Sequence, residues 1–257
     1  MIKKLLLIII GLLLLLIGGV AAWMSVPFAY QRDLTAQALT SDDSVQVATA
    51  RWLSFTPAHK VVTQGVILYP GGKTASETFA PVMRQLAAEG VLTVIVPMPL
   101  NTAFLGIDKA QAVMDAYPEI SQWYLIGHSL GGVAAAEFAK KQPARLSGLI
   151  FWASYPASDL STLPLPTLSI AAALDSQSTP EKIASNRPKF PANTRFIEMA
   201  AANHWQYGHF ADSRNTEPAL RSRQSQLAEL LAHTLAFIRP MPAQAEGQHS
   251  EDSQHDS

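Results

Sequence analysis

The 257 residues carry 19 Lys and Arg against 20 Asp and Glu, a formal net charge of −1, with 48% hydrophobic residues and no cysteine. No basic stripe exists to neutralise a phosphate backbone, so nothing marks nucleic acid as a partner. Without thiols there are no disulfides, thiolate metal sites or lipidated cysteine, and the length suits one domain with a substantial core.

In chain order, Lys3 and Lys4 precede a run from Leu5 to Trp23 without a single charge. Such a run is long enough to cross a hydrocarbon core of about 30 Å as a helix. A cleaved signal has a shorter apolar region of about 7–15 residues and an A-x-A-like site, and Val20-Ala21-Ala22-Trp23 is a poor one. Residues 1–24 therefore read as an uncleaved signal anchor, with secretion after signal cleavage as the alternative. The next basic residue after Lys4 is Arg32, so the positive-inside tendency leaves the N-terminus in the cytoplasm and exports the domain beyond the helix. Residues 25–43 read as a linker strapped across the domain. The domain itself runs from 44 to 238. From residue 239 to 257 polar residues dominate, and such a tail buries too little to order itself.

Within the domain, Val45 to Phe55 alternates as one edge strand. Gly65 to Tyr69 is a continuous apolar run, the mark of an interior strand covered on both faces. Ser76 is placed to cap a helix that presents Phe79, Val82, Met83 and Leu86 on one face and stops at Gly90. A strand over Val91 to Val96 comes next, then a helix over roughly Ile107 to Tyr117 and a strand at Trp123 to Ile126. A helix follows at Val133 to Lys141, with strands at Leu146 to Ala153, Thr167 to Ala173 and Arg195 to Met199. An amphipathic helix over Leu220 to Ile238 closes the domain. Alternation of strand and helix predicts an α/β fold with a mostly parallel sheet between helices. Only about a dozen residues separate the strands ending near Ala153 and starting near Thr167, which leaves no room for a lid domain and predicts a shallow, open site.

The strand at Trp123 to Ile126 runs into Gly127-His128-Ser129-Leu130-Gly131-Gly132 and then into a small-residue helix. In a strand-to-helix turn, G-x-S-x-G lifts the serine hydroxyl above the sheet on a strained bend. The start of that helix offers free N–H groups to developing negative charge. This stretch resembles the nucleophile elbow of the α/β-hydrolase superfamily. The wider chain, from about Ser44 to Ile238, resembles its small lidless members, related to the dienelactone-hydrolase-like group. The resemblance rests on Tyr69-Pro70-Gly71-Gly72-Lys73, Met98-Pro99-Leu100-Asn101, the Ser129 stretch, Ala153-Ser154-Tyr155-Pro156 and Asn203-His204, in that order.

A serine nucleophile needs a base, and the base an orienting acid. In the fold that the resemblance implies, the chain order is Ser, acid, His. Asp175 directly follows a strand, at the carboxyl end where ligands gather; Asp159, after the preceding strand, is the alternate acid. His204 lies on the loop before the closing helix, where the fold places its base, with His209 as runner-up. Around it the family pattern N-H-x-Q-F-G-x-Y-G is met in its first half, Asn203-His204-Trp205-Gln206, and departed from in its second. The Leu130 N–H and the Gly72 N–H are the candidate oxyanion donors. The Gly72 loop is where the superfamily carries an H-G-G-type motif, with Pro70 here in place of the histidine. Lys73, beside it, reads as a solvated surface lysine.

These residues predict a serine hydrolase that cleaves ester-type acyl bonds of a small molecule, needs no cofactor or metal, and meets the membrane through its N-terminal helix. An acyltransferase or thioesterase with the same triad, or a hydrolase-like scaffold that binds without catalysis, are the rival readings. Oligomeric state is left open by the residues.

Overall fold

The computed structural model describes residues 2–239. The chain-terminal stretch expected to form a disordered tail lies, from residue 240 onward, outside the described residues. A 24-residue helix, α1 (Ile2–Ser25), comes first and buries none of its residues. Its 18-residue window of mean hydropathy 3.1 makes it long and apolar enough to cross a membrane.

Eight strands then form one sheet: β1 (Val45–Ala48), β2 (Leu53–Pro57), β3 (Gln64–Tyr69), β4 (Leu92–Ile95), β5 (Gln122–His128), β6 (Gly148–Trp152), β7 (Thr167–Ala172) and β8 (Arg195–Met199). Their order across the sheet is β1-β2-β4-β3-β5-β6-β7-β8. Only β2 runs against its neighbours, antiparallel to both β1 and β4, whereas every pairing from β4 through β8 is parallel. The helices are α2 (Arg32–Ala38), α3 (Ala80–Ala88), α4 (Lys109–Ala116), α5 (Leu130–Lys141), α6 (Pro180–Asn186) and α7 (Arg223–Ile238).

Successive side chains of a strand point to opposite faces, and the central strands feed two cores in that alternation. Val66, Leu68, Ile126, Ile150 and Trp152 pack on one face with Phe79, Met83 and Leu230. Ile67, Tyr69, Leu125, Leu149 and Phe151 pack on the other with Phe138, Val113 and the α5 alanines. Strands covered on both sides have no reason to alternate polar with apolar. That is why these segments are legible as unbroken apolar runs. The polar ends of two core aromatics are paired: Tyr69 Oη donates to the Ile107 carbonyl at 2.5 Å and accepts from the Ala110 N–H at 2.8 Å, and Trp152 Nε1 donates to Thr234 Oγ1 at 3.2 Å.

Several expectations need correction. The segment read as one strand from Val45 to Phe55 is a hairpin, β1 and β2, with Val45 opposite Pro57. Its turn, Thr49-Ala50-Arg51, holds none of the residues that usually mark one. Ser76 does not cap α3; it sits inside a 3-10 turn, Ser76–Phe79, and makes no capping hydrogen bond. Gly90 ends that helix at φ +98, a left-handed conformation that glycine enters without penalty. Helix α6 is absent from the elements expected, although Thr179 accepts from Lys182 N and Pro180 fills the first turn, a readable start signal. Residues 25–43 carry α2, with Thr35 and Ala38 buried, so this strap is packed chain and not a loose connector. Between β6 and β7 there is neither helix nor strand: no lid is inserted.

Candidate active site

The turn from β5 to α5 is fixed by steric exclusion. Ser129 sits at φ 52, ψ −126, a conformation that costs a non-glycine residue on the order of 1–3 kcal/mol and persists only where the surroundings over-determine it. Here they do. A Cβ on Gly127 would collide with Gly132 Cα, and one on Gly131 would land on the Tyr69 carbonyl oxygen. The bend is pinned by Ser129 N–H donating to the Trp152 carbonyl at 3.1 Å, Gly132 N–H to the Ser129 carbonyl at 2.9 Å, and Ser154 Oγ to that same carbonyl at 2.6 Å. Ser129 is half-buried and α5 begins at the next residue, so the positive end of the helix dipole faces the hydroxyl's surroundings.

At the carboxyl end of β7 lies Asp175, and beyond β8 lies His204; both are buried. Asp175 Oδ2 is 2.7 Å from His204 Nδ1. Its other oxygen accepts from the Gln177 N–H at 2.7 Å and the Ser178 N–H at 2.8 Å. Thus Asp175 both turns its own loop and orients the imidazole. Asp159 is exposed and accepts from the Ser161 N–H at 2.8 Å, which holds its carboxyl below the usual range; it does not meet a histidine. His209 is half-buried, with its backbone tied to Thr78 and Gln31. It lines a different cleft, beside Gln31, Leu34, Arg223 and Leu227. Burial, then the Arg223 charge, pulls its pKa down to about 4.

Two residues that sequence reasoning missed hold the imidazole loop. Buried Glu217 accepts the His204 backbone N–H on Oε2 at 2.7 Å, while its Oε1 accepts the Ser176 N–H at 2.7 Å and the Ser176 hydroxyl at 2.6 Å. One carboxylate therefore ties the Asp175 loop to the His204 loop. Gln226, fully buried, accepts from Asn203 N–H at 2.9 Å and donates to Asn203 O at 2.7 Å. No local pattern signals either residue. They become visible only when the loops are folded together.

His128 separates the two arms. Its ring is fully buried, 4.8 Å centroid to centroid from His204 and within 5.2–6.1 Å of Phe79, Tyr207 and Phe210. Neither ring nitrogen has a hydrogen-bond partner among the described residues. Burial, then the adjacent His204, holds its pKa well below the ordinary histidine range, so the ring is neutral. No hydrogen bond joins the Ser129 hydroxyl to His204 among the described residues; in unliganded enzymes such catalytic contacts commonly tighten only around substrate.

Ser129, Leu130 and Gly72 share one cleft of about 480 Å³, with Ser154, Gln177 and Ser178 on its polar side. Neither the Leu130 N–H nor the Gly72 N–H donates a hydrogen bond within the described residues, so both are available to a bound oxyanion. A cleft of about 370 Å³ between α6 and β8 contains Ser169 but no histidine, and lacks the means to activate a hydroxyl. Lys73, expected in solvent, is only 9% exposed. Its Nζ donates to the Trp23 carbonyl at 2.7 Å and stands 3.6 Å from the Trp23 ring centroid. The reason is the chain's path: α1 ends over this loop, and the lysine satisfies its last turn. Among the described residues no cluster of His, Cys, Asp and Glu could hold a metal ion.

No curated protein matches the chain. A model of the alpha/beta hydrolase family matches residues 65–228, a span that contains the Ser129 turn, Asp175 and His204, and it supports the family without reaching the dienelactone-hydrolase-like subgroup. Strand order, parallel sheet and family match agree: the chain belongs to the alpha/beta hydrolase family and is a hydrolase in kind.

Proposed function

We propose that the protein is a serine hydrolase of ester-type acyl bonds, with Ser129 as nucleophile, His204 as base and Asp175 as orienting acid. The observation that carries this reading is the pairing of Asp175 Oδ2 with His204 Nδ1 at 2.7 Å, beside a strained serine at the head of a helix. With Asp175 accepting a hydrogen bond from Nδ1–H, which keeps the proton on Nδ1, Nε2 is left free to take a proton from the serine. Ser129 Oγ then adds to the ester carbonyl while His204 Nε2 removes its proton. The oxyanion is received by the Leu130 and Gly72 N–H groups; losing one such donor costs about 10²–10³ in rate. The tetrahedral adduct collapses, the alcohol leaves with the proton from His204, and an acyl-enzyme remains. Water, deprotonated by the same imidazole, adds to the acyl carbonyl and releases the acid and Ser129.

The apolar α1 supports anchoring of the domain in a membrane. Lys3 and Lys4 before the span and no basic residue until Arg32 support a cytoplasmic N-terminus and an exported domain. Protease added to spheroplasts is expected to digest the domain; full protection would refute this orientation.

The chemical reading is tested by release of p-nitrophenol from short-chain esters. Ser129→Ala is expected to lose activity by at least about 10³, since only binding and the oxyanion donors then remain. Unchanged turnover would overturn it. Transfer of the acyl group to an added alcohol or thiol in preference to water would assign the chain to acyl transfer. An inert protein would be a binding scaffold.

A further inference from the structure

The last turn of α1 is not a free tether. Four carbonyl groups at a helix C-terminus lack backbone partners within the helix, and here the domain supplies partners to the last three of them. Lys73 Nζ caps Trp23 O at 2.7 Å, and Asn101 Nδ2 donates to Met24 O at 3.1 Å and Ser25 O at 3.0 Å. Phe28 N–H donates to Lys73 O at 2.7 Å, and Lys73 N–H to Asn101 O at 2.8 Å. The end of the apolar helix is thereby fixed to the loop that carries Gly72. As a result Trp23, Met24 and Phe28 form part of the wall of the same cleft that holds Ser129, together with Leu130 and Val133.

The surface around this joint is apolar as well. Outside α1, eight large hydrophobic side chains stand exposed among the described residues. Five of them, Val26, Leu100, Phe104, Leu105 and Leu130, belong to segments at or next to the α1 joint and the cleft mouth; the other three, Leu34, Val61 and Leu220, lie elsewhere. The 3-10 turn holding Leu100 packs on α1 and on the turn holding Phe104 and Leu105, which in turn packs on α5, the helix that begins at Leu130. An exposed apolar patch of this kind marks an interaction surface. Here the residues leading into it are a helix of bilayer-spanning length, roughly 36 Å at 1.5 Å per residue, which itself ends in Trp23, the residue type that favours the membrane–water boundary. What covers the patch is therefore the bilayer into which α1 runs.

We infer that the Ser129 cleft opens onto the membrane interface across the last turn of α1, and that its substrate is an acyl ester of a bilayer lipid, drawn in along the wall of Trp23, Met24 and Phe28. The acyl chain lies against these side chains and Leu130, with the ester carbonyl at the Leu130 and Gly72 N–H groups. The polar remainder of the lipid faces Ser154, Gln177 and Ser178. The protein's own anchor thus takes the place that a lid would fill. This inference rests on the serine-hydrolase reading, and adds to it the class and the route of the substrate.

The test uses the full chain reconstituted in dioleoyl phosphatidylglycerol vesicles, with oleate release and hydrolysis of a short water-soluble p-nitrophenyl ester followed in parallel. Oleate release is expected, abolished by Ser129→Ala. Phe104→Glu and Leu105→Glu are each expected to lower the ratio of oleate release to short-ester hydrolysis at least tenfold. Two variants guard against a folding defect, because Phe104 and Leu105 are both exposed and outside the cleft wall; retained short-ester turnover reports the fold of each. Short-ester hydrolysis without oleate release, or a ratio unmoved by both variants, overturns the inference and leaves the hydrolase reading intact. Loss of both activities in the unmodified chain overturns the hydrolase reading and this inference with it.

Discussion

The two arms of the site are held by different physics. The Ser129 turn is set by exclusion within a few residues: Gly127, Gly131 and Gly132 are there because a single methyl group would strike backbone or Ser154. The His204 arm is set by polar bonds from residues far apart in sequence, Asp175 and Glu217 on loops and Gln226 in the first turn of α7. The first arm tolerates almost no substitution, and its bend is pinned in addition by Trp152 and Ser154. The second tolerates shape changes yet depends on each acceptor being present. A nucleophile can be placed by its neighbours in sequence, whereas a base and its acid are placed by the tertiary fold.

The largest expected effect separates the arms chemically. Asp175→Asn keeps the shape and removes the acceptor that selects the imidazole tautomer. It is expected to lower kcat by about 10³–10⁴, as loss of the equivalent acid does in other serine triads, while ester binding changes little. Steady-state kinetics on a short ester check this, and a loss below tenfold would remove Asp175 from the triad.

Next comes the positioning carboxylate. Glu217→Ala leaves the buried His204 N–H without its acceptor, at about 1–3 kcal/mol, whereas the Ser176 N–H and hydroxyl that it also frees are within reach of water. Denaturant midpoint and kcat are both expected to fall, the latter about 10–100-fold with KM nearly constant. Glu217→Gln keeps one acceptor oxygen and is expected to fall between the two. A purely structural role would lower the midpoint and leave kcat per folded molecule unchanged.

The sequence announced the first arm and most of the sheet, and of the second arm it pointed to Asp175 and His204 but not to the residues that hold them. Gly65 to Tyr69 and Trp123 to Ile126 are legible because burial on both faces leaves no polar interruption. The β1–β2 turn is hidden because Thr49-Ala50-Arg51 carries no turn chemistry, and the strap 25–43 because its mixed composition conceals a seven-residue helix. Glu217 and Gln226 are invisible, since a carboxylate or amide in a polar stretch carries no mark of what it will face. Lys73 misleads for the same reason. Its partner, the Trp23 carbonyl, lies 50 residues away.

A third effect concerns the wedge between the arms. His128 and His209 both have pKa values depressed below 6.5, well below it for His128 and to about 4 for His209. Unfolded, each binds a proton near pH 6.5; folded, neither does until lower pH. Stability contributed by keeping them neutral is therefore present above about 6.5 and is lost as pH falls toward 4. Denaturant midpoints measured from pH 7.5 to 4.5 are expected to decline on the acid side, and a His209→Gln variant should flatten part of that decline.

The smallest effect is at Asp159, exposed and bonded only within its own turn. Asp159→Ala is expected to change kcat less than about threefold, in line with surface positions away from special features. A larger loss would reopen the choice of acid.

The sharpest measurement is covalent. A fluorophosphonate probe reacts only with a serine activated by a base and flanked by oxyanion donors, and peptide mass mapping locates the adduct. Stoichiometric modification of Ser129 is expected, strongly slowed in His204→Ala. A protein that remains unmodified, or one modified at a different residue, would contradict a nucleophile at the head of α5 served by the buried imidazole.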